Sequence, residues 1–209
     1  MTARRTLLGL FALGLAATLA SAPASAQGNY PNKPIRWLVG YVPGGTTDIL
    51  ARLIGQYLSE KIGQQFIIEN KAGAGNNLAV EAVIAAPADG YTVLLVNPAN
   101  GINATLYKKL SFNFIRDIAP VGGILRVPNV MVVNNDVPAK TVKEFIDYAK
   151  VNPGKVNMAS SGNGTSVHLS GELFMAMTGV KMAHVPYRGS NPALTDIMGG
   201  QVQVLFDNM

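Results

Sequence analysis

The stretch LVGYVPGGTTDILARLI, residues 38–54, decides the fold. Its apolar start ends at the break Pro43-Gly44-Gly45, and a helical pattern follows. Two consecutive glycines allow a positive φ and a close approach of a ligand to the backbone. A helix that begins directly behind them favours a bound anion, because its first N–H groups are unpaired and its dipole is positive there. The stretch therefore predicts a strand, a turn and a helix, and the turn is either an anion site or a plain structural turn.

The first 26 residues predict a signal peptide. Arg4 and Arg5 provide a basic start, residues 7–20 form an uncharged apolar segment, and Ala24-Ser25-Ala26 is a small-residue cleavage site. We therefore expect export to the periplasm, by the general or the twin-arginine route. The sequence contains no cysteine, so we expect the fold to depend on a packed core and not on disulfides.

The charge of the chain is mildly positive. Lys and Arg number 17 against 12 acidic residues, a net charge of +5, which becomes +3 when the two arginines of the signal peptide are subtracted (5 − 2). Apart from Lys108-Lys109 the lysines are scattered, and nucleic acid requires a basic stripe. We expect no nucleic-acid partner, and the slight positive excess suits a small anion.

The first half of the chain alternates between predicted strands and predicted helices. Strands are predicted at residues 35–39, 65–69 and 91–96, and Trp37 is expected to pack in the core. The helix after the glycines is expected to be capped by Thr46 or Thr47 and to stop at Gly63, with Asp48 as a structural acid in its first turn. Three strand–helix steps predict a parallel α/β arrangement.

The second half repeats this pattern. Residues 121–133 predict two strands that meet at residues 126–128, the expected crossover between domains, because a proline is excluded from a central strand. Thr141 is expected to cap a helix over residues 142–151, followed by a strand over residues 156–159. A glycine-rich loop with hydroxyl groups, residues 160–165, then leads into another helix. Each half thus places a glycine-rich helix start at the end of a strand.

Several polar side chains are candidates for ligand contacts. Asn97 and Asn100 follow the third predicted strand, where open α/β sheets place ligands, and they either contact a ligand or serve the turn. Arg188 follows a strand and either pairs with a carboxylate or is solvated. Asp207 either pairs with an ammonium group or is a buried structural acid.

The sequence gives no positive indication of catalysis. Neither a nucleophile elbow nor a phosphate-binding P-loop is present. His168 and Glu172 are spaced four residues apart and can share a helix face, but a third metal ligand is missing from any motif. We therefore interpret them as a helix-surface pair or a ligand contact, and we expect no metal and no cofactor.

With these residues in view, the chain from Tyr30 onward resembles the Bug family, the periplasmic solute-binding receptors of tripartite tricarboxylate transporters. Ordered motifs along the whole chain carry the resemblance. They are Tyr30-Pro31-x-Lys33-Pro34-Ile35-Arg36, Pro43-Gly44-Gly45-x-x-Asp48-x-x-Ala51-Arg52, Glu69-Asn70-Lys71-x-Gly73-Ala74-Gly75, Pro87-x-Asp89-Gly90-Tyr91-Thr92, Asn152-Pro153-Gly154-Lys155, His168-Leu169-x-x-Glu172-Leu173-Phe174, His184-Val185-Pro186-Tyr187-Arg188-Gly189 and Gly199-Gly200-Gln201-Val202.

The resemblance implies an α/β, two-lobed periplasmic-binding-protein fold of type II, which closes on a small carboxylate by hinge motion. It implies two loops that grip the ligand, residues 41–47 and 160–165, and a monomer that serves membrane permease components and is not an enzyme. With the side chains considered above, the candidate ligand-binding residues are Tyr41, Pro43, Gly44, Gly45, Thr46, Thr47, Asn97, Ser160, Ser161, Gly162, Gly164, Thr165, His168 and Asp207.

The resemblance also sets the expected domain limits. We expect a signal peptide over residues 1–26, a first lobe over residues 27–126 and a partial second lobe over residues 127–209. Family members continue for roughly another third, so we expect a truncated member with exposed strand edges and uncovered apolar faces.

Three functions stay open at this point. The first is a receptor for a di- or tricarboxylate or an acidic amino acid. The second is an exported α/β enzyme that acts on a small organic anion, with His168 or Asp207 as acid or base. The third is a fragment without a function of its own.

Overall fold

The computed structural model describes residues 30–209, and these residues contain two β-sheets flanked by helices. The predicted signal peptide lies outside the described residues. The elements follow one another as β1 (Ile35–Val39), α1 (Thr46–Ile62), β2 (Phe66–Asn70), a short 3₁₀ turn (Ala74–Asn76), α2 (Asn77–Ile84), β3 (Thr92–Leu95), α3 (Pro98–Leu106), α4 (Phe114–Asp117), β4 (Asn129–Val133), α5 (Val142–Val151), β5 (Asn157–Ser160), α6 (Ser166–Thr178), β6 (Ala183–Pro186), α7 (Ser190–Met198) and β7 (Val204–Asn208).

The first sheet is parallel throughout, as the strand–helix alternation predicts. Its strand order is β2-β1-β3, with Ile35 opposite Phe66 and Arg36 opposite Thr92. Trp37 is buried and contacts Phe66 edge-on, with ring centroids 5.7 Å apart. The prediction that Trp37 packs in the core is therefore confirmed.

The second sheet contains four strands in the order β4-β7-β5-β6. Strand β5 runs parallel to both β6 and β7, whereas β4 is antiparallel to β7. One face of this sheet packs through Met158 and Val204 against Phe145 of α5. The opposite face packs through Ala159 and Leu205 against α7, so this sheet is buried on both sides.

Helix α1 covers the first sheet with only one of its apolar faces. Ile54 and Leu58 pack against the core of that sheet. In contrast, Ile49, Leu53 and Tyr57 are exposed by 58%, 66% and 58%. Their spacing of four residues places them on one helix face, so the expectation of an uncovered apolar face is confirmed for α1.

The start of α1 differs from the prediction. The residue that caps it is Gly45, which makes no side-chain cap, and neither Thr46 nor Thr47 occupies the cap position. The carboxylate of Asp48 instead accepts a hydrogen bond of 3.0 Å from the N–H of Gly44. Gly63 ends the helix in the left-handed conformation, as predicted.

Two further segments differ from the prediction. The residues after β3 form helix α3, which the sequence did not predict and which begins with a capping box between Asn97 and Asn100. In residues 121–133 only β4 forms, and residues 118–128 contain no helix or strand. The two sheets lie on either side of this segment along the chain, and the lobe limits at residue 126 stay a prediction.

Candidate functional site

A cleft lies where the loops of the two sheets meet. The parallel strands β1 and β2 end at the same edge of the first sheet, and β5 and β6 end at the same edge of the second. The loops that follow these four strands line a cleft of about 380 Å³. Its lining consists of Gly40, Tyr41, Ala72, Gly73, Ala74, Gly75, Asn76, Leu78, Tyr107, Ser161, Gly162, Asn163, Pro186, Tyr187 and Arg188.

Tyr41 is the lining residue contributed by the first glycine-rich loop, residues 41–47. It is buried, and its hydroxyl accepts a hydrogen bond of 2.9 Å from the side-chain amide of Asn97. Burial raises the pKa of the Tyr41 phenol to about 12, although the bond from Asn97 acts in the opposite direction. The phenol is therefore protonated at neutral pH and can donate to an anion.

The rest of the first glycine-rich loop leads into α1, which begins at Thr46. Burial alone would raise the pKa of the Asp48 carboxyl, but hydrogen bonds from Arg52, Gly44 and Asn70 outweigh burial and hold this pKa below its usual value. One N–H group at this helix start is thus already bound to a carboxylate of the protein itself. Pro43, Gly44, Gly45, Thr46 and Thr47 are not among the lining residues.

The second glycine-rich loop, residues 160–165, contributes Ser161 and Gly162 to the lining. Thr165 caps α6, because its hydroxyl accepts from the N–H of His168 at 3.2 Å and donates to the carbonyl of Gly162 at 2.8 Å. Gly162 has a φ of 132° and Gly164 a φ of 78°, so the loop adopts a conformation that favours glycine at both positions.

Two histidines support this loop from behind. The Nε2 atom of His184 lies 2.6 Å from the hydroxyl of Ser160, which in turn accepts from the N–H of Gly162 at 3.2 Å. The Nδ1 atom of His168 accepts from the N–H of Gly164 at 3.2 Å, and its Nε2 atom lies 3.4 Å from Glu172. The predicted pair of His168 and Glu172 is therefore present on α6.

The loops of the two sheets contact each other directly. The N–H of Val42 donates to the carbonyl of Arg188 at 3.2 Å. A Cβ atom at Gly75 would lie 2.5 Å from the carbonyl oxygen of Asn163, so only glycine permits the approach of these two loops. The cleft is thus closed at two places by backbone contacts between opposing loops.

The remaining candidate residues are not part of the cleft lining. Asn97 and Ser160 do not line the cleft, but each is hydrogen-bonded to a residue that does. Asn97 donates to the hydroxyl of Tyr41, and Ser160 accepts from the N–H of Gly162. Asp207 is buried and accepts hydrogen bonds from the hydroxyl of Ser190 at 2.7 Å and from the N–H of Asn208 at 2.9 Å. Of the candidate ligand-binding residues, the structure brings together Tyr41, Ser161 and Gly162 on the wall of the cleft.

Two further loops line the cleft, and the set of candidate ligand-binding residues includes none of their residues, although Arg188 is a candidate for pairing with a carboxylate. Residues 72–76 follow β2. Their last residue, Asn76, is fixed by a buried hydrogen bond of 3.0 Å that its side-chain amide donates to the side chain of Asn100. Tyr187 and Arg188 follow β6, and the Tyr187 hydroxyl donates to Asp196 at 2.6 Å. Both loops extend from strands parallel to β1 or β5, so the rule that ligands bind at the carboxyl ends of parallel strands would have pointed to them.

Within residues 30–209 no group of three or more His, Cys, Asp or Glu side chains could hold a metal ion. None of the helices over the same residues is long and apolar enough to cross a bilayer.

Comparison with known proteins gives consistent results. Residues 50–209 match the model of the tripartite tricarboxylate transporter family receptor. Protein BugT of Bordetella pertussis is 34% identical over 211 residues, which cover 100% of this chain and 64% of BugT. An R. palustris protein solved with adipate superposes with a TM-score of 0.83 at 40% identity, over 86% of this chain and 60% of its own. MatC from Rhodopseudomonas palustris, solved with bound malate, superposes with a TM-score of 0.81 at 30% identity, over 86% of this chain and 61% of its own.

These comparisons confirm the predicted family and fold class. The chain spans less than two thirds of the length of the relatives it matches, between 60% and 64% for these three. The solved relatives show a periplasmic-binding-protein fold, of which this chain covers part. The chain belongs to the Bug family, the periplasmic solute-binding receptors of tripartite tricarboxylate transporters, which are receptors and not enzymes.

Proposed function

We propose that this protein binds a small carboxylate in the cleft between its two sheets and presents it to the membrane permease components of a tripartite transporter. The observation that carries the proposal is the convergence of loops from both sheets on one cleft, with Tyr41 contributed by a loop of the first sheet and Gly162 by a loop of the second. A receptor that closes on its ligand needs such a cleft, because binding must draw the two sheets together.

The chemistry of the cleft supports an anionic ligand. Tyr41 presents a protonated phenol, Ser161 has a hydroxyl side chain, and Gly162 lines the cleft without a side chain. Hydroxyl and backbone N–H donors are the groups that bind carboxylates without any nucleophile. The relatives solved with adipate and malate bind ligands of this class.

Closure of the two glycine-rich loops is part of the same proposal. The contact between Val42 and Arg188 joins loops of the two sheets through one backbone hydrogen bond. This hydrogen bond contributes about 1 kcal/mol, and the approach of Gly75 to Asn163 is the second contact that opening must separate. A ligand that binds the closed state more tightly than the open state shifts this equilibrium. We infer that the protein is a periplasmic monomer whose loops separate to admit the carboxylate.

Isothermal titration calorimetry with a panel of mono-, di- and tricarboxylates tests the proposal, with the corresponding neutral amides as controls. We expect at least one acid to bind saturably and its amide not to bind. NMR of the recovered ligand should show it unchanged. A protein that melts cooperatively and binds no acid of the panel would contradict the receptor function, and a non-cooperative melt without binding would favour the fragment.

A further inference from the structure

The electrostatics of the cleft restrict its ligand further. Among the lining residues that the structure describes, only Arg188 carries a formal charge, and it is exposed. Its carbonyl oxygen accepts from the N–H of Val42, which fixes the residue where the loops of the two sheets meet. No acidic side chain within residues 30–209 forms an ion pair with Arg188. The guanidinium is therefore available to a carboxylate of the ligand.

Three acidic side chains on elements next to these loops already have hydrogen-bond partners. Asp48 accepts from Gly44, Arg52 and Asn70. Asp207 accepts from the hydroxyl of Ser190 and is buried. Neither of them is among the residues that line the cleft.

The third such acid lies behind a lining residue. Asp196 accepts a hydrogen bond of 2.6 Å from the hydroxyl of Tyr187, which itself lines the cleft. Burial and the hydrogen bond to Asp196 together raise the pKa of Tyr187 to about 12. The phenol therefore keeps its proton and continues to occupy the carboxylate of Asp196.

An amino acid would need a partner for its ammonium group in this cleft. Transfer of an ammonium ion out of water is costly unless an anion or several acceptors replace the lost hydration. Here the ammonium would meet no carboxylate among the described lining residues and would depend on neutral oxygen acceptors alone, and the charge of Arg188 would repel it. A carboxylate without an amino group avoids both costs. Its carbon chain can contact Leu78 and Pro186, which also line the cleft.

We propose that the cleft selects organic acids that lack an amino group, with Arg188 as the residue that binds one carboxylate of the ligand. This inference rests on the proposed function, since it concerns the ligand of the same cleft. It excludes the acidic amino acids that the sequence left open.

Matched ligand pairs test the selectivity. Succinate and aspartate, glutarate and glutamate, and adipate and 2-aminoadipate differ within each pair only by the amino group. At about pH 7.5 the carboxylates are ionised and the amines protonated. In calorimetry on the chain, we expect each bound acid to bind at least about tenfold more tightly than its amino counterpart. Equal or tighter binding of the amino member would overturn the inference and leave the receptor function standing, whereas binding of no acid would overturn both.

Variants of Arg188 test its role. Arg188→Gln should weaken binding of the acid by about tenfold or more, because the attraction between the guanidinium and the carboxylate is lost. It should also reduce the ratio of affinities between the acid and its amino counterpart, because the repulsion of the ammonium group is lost as well. Arg188→Lys keeps the charge and should keep the preference for the acid. Arg126→Gln is the matched control, since Arg126 is exposed and lies outside the lining, and it should bind like the parent. An unchanged affinity in a cooperatively melting Arg188→Gln variant would remove Arg188 from the site.

Discussion

The imidazole rings of His168 and His184 stack with their centroids 4.0 Å apart and their planes inclined by 15°. The two rings come from different elements, α6 and β6, and each contacts the second glycine-rich loop, through Gly164 and Ser160 respectively. Two stacked imidazoles cannot both carry a proton without repulsion. The loop that lines the cleft is therefore supported by a histidine pair in which the environment of His184 disfavours its charged form.

This pair predicts a dependence of stability on pH. Burial lowers the pKa of His184, the charge of His168 lowers it further, and Glu172 acts in the opposite direction. Since the pKa is lower in the folded state than the unfolded value of 6.5, the unfolded chain binds more protons below that pH. The contribution is fully present above pH 6.5 and is lost as the pH falls through the folded pKa.

Thermal melts between about pH 7.5 and about pH 5.5 measure this effect. We expect the Tm of the parent protein to fall with pH over this window and the fall to be smaller in His184→Gln. His168→Gln should show an intermediate dependence, because it removes the neighbouring charge but leaves His184 able to titrate. Identical pH profiles in all three proteins would rule out the histidine pair as the cause.

Asp48 gives a second prediction, because its carboxylate joins the first glycine-rich loop to Arg52 and Asn70. The residue is 2% exposed, so removal of the carboxylate breaks four hydrogen bonds, from Gly44, Asn70 and two nitrogens of Arg52. We expect Asp48→Ala to lower the free energy of unfolding by about 2 to 3 kcal/mol. Asp48→Asn should cost less, since the amide oxygen can still accept from Gly44.

Urea unfolding measures these differences, and Asp147→Ala is the control. Asp147 pairs with Lys143 at 2.6 Å, but the two side chains are exposed by 60% and 84%, and such a pair contributes at most about 1 kcal/mol. A change in Asp48→Ala no larger than in Asp147→Ala would contradict the structural role of Asp48. Since the folded pKa of Asp48 is lowered, its contribution should be lost at low pH, below its usual value of 3.8.

The helix caps give a third prediction. The hydroxyl of Thr141 accepts from the N–H of Glu144 at 3.2 Å and forms a capping box at the start of α5, as the sequence predicted. Thr141→Ala should therefore destabilise the protein by about 1 kcal/mol. Thr46→Ala should change stability by less than about 0.5 kcal/mol, because Thr46 makes no cap. Equal effects in urea unfolding would contradict the assignment of the two caps.

The sequence predicted most strands and both glycine-rich loops, because each apolar run is separated from the next helix by glycine or proline. It did not predict α3, although the pair Asn97 and Asn100 forms its capping box. The buried face of that helix is polar, with Asn100 and Asn103 less than 3% exposed, and polar residues in such a position give no helical hydrophobic pattern. Their burial depends on side-chain hydrogen bonds with Asn76 and Asn77, which only the folded structure brings near.

The residues of the candidate site also divide into those with a signal in the local sequence and those placed by contacts distant along the chain. Tyr41 and Gly162 could be predicted as lining residues because each lies in a loop with a local signal, two or more glycines before a helix. For Arg188 the sequence does not decide between pairing with a carboxylate and a solvated position, since its place in the cleft depends on the contact of its carbonyl with Val42, about 146 residues away along the chain. Asn70, one of the hydrogen-bond partners of Asp48, likewise reaches it through tertiary packing and could not be predicted from the helix start alone.

Two helical glycines give a last prediction, since replacing each with alanine should have opposite effects. Gly171 lies in α6 against Met158 of β5, and a Cβ atom there would overlap the sulfur of that methionine. Met158 is fully buried in the core of the second sheet, so it cannot move aside without disturbing its neighbours. We expect Gly171→Ala to destabilise the protein by about 1 to 3 kcal/mol.

Gly101 provides the matched control in α3, where a Cβ atom would contact no atom within 4 Å. At an exposed helical position alanine is favoured over glycine, because it restricts the unfolded chain and loses less backbone entropy on folding. Gly101→Ala should therefore raise the free energy of unfolding by about 0.5 to 1 kcal/mol. Urea unfolding of the two variants compares them directly. A destabilised Gly101→Ala together with a neutral Gly171→Ala would contradict the close packing of α6 on β5, which holds the second glycine-rich loop at the cleft.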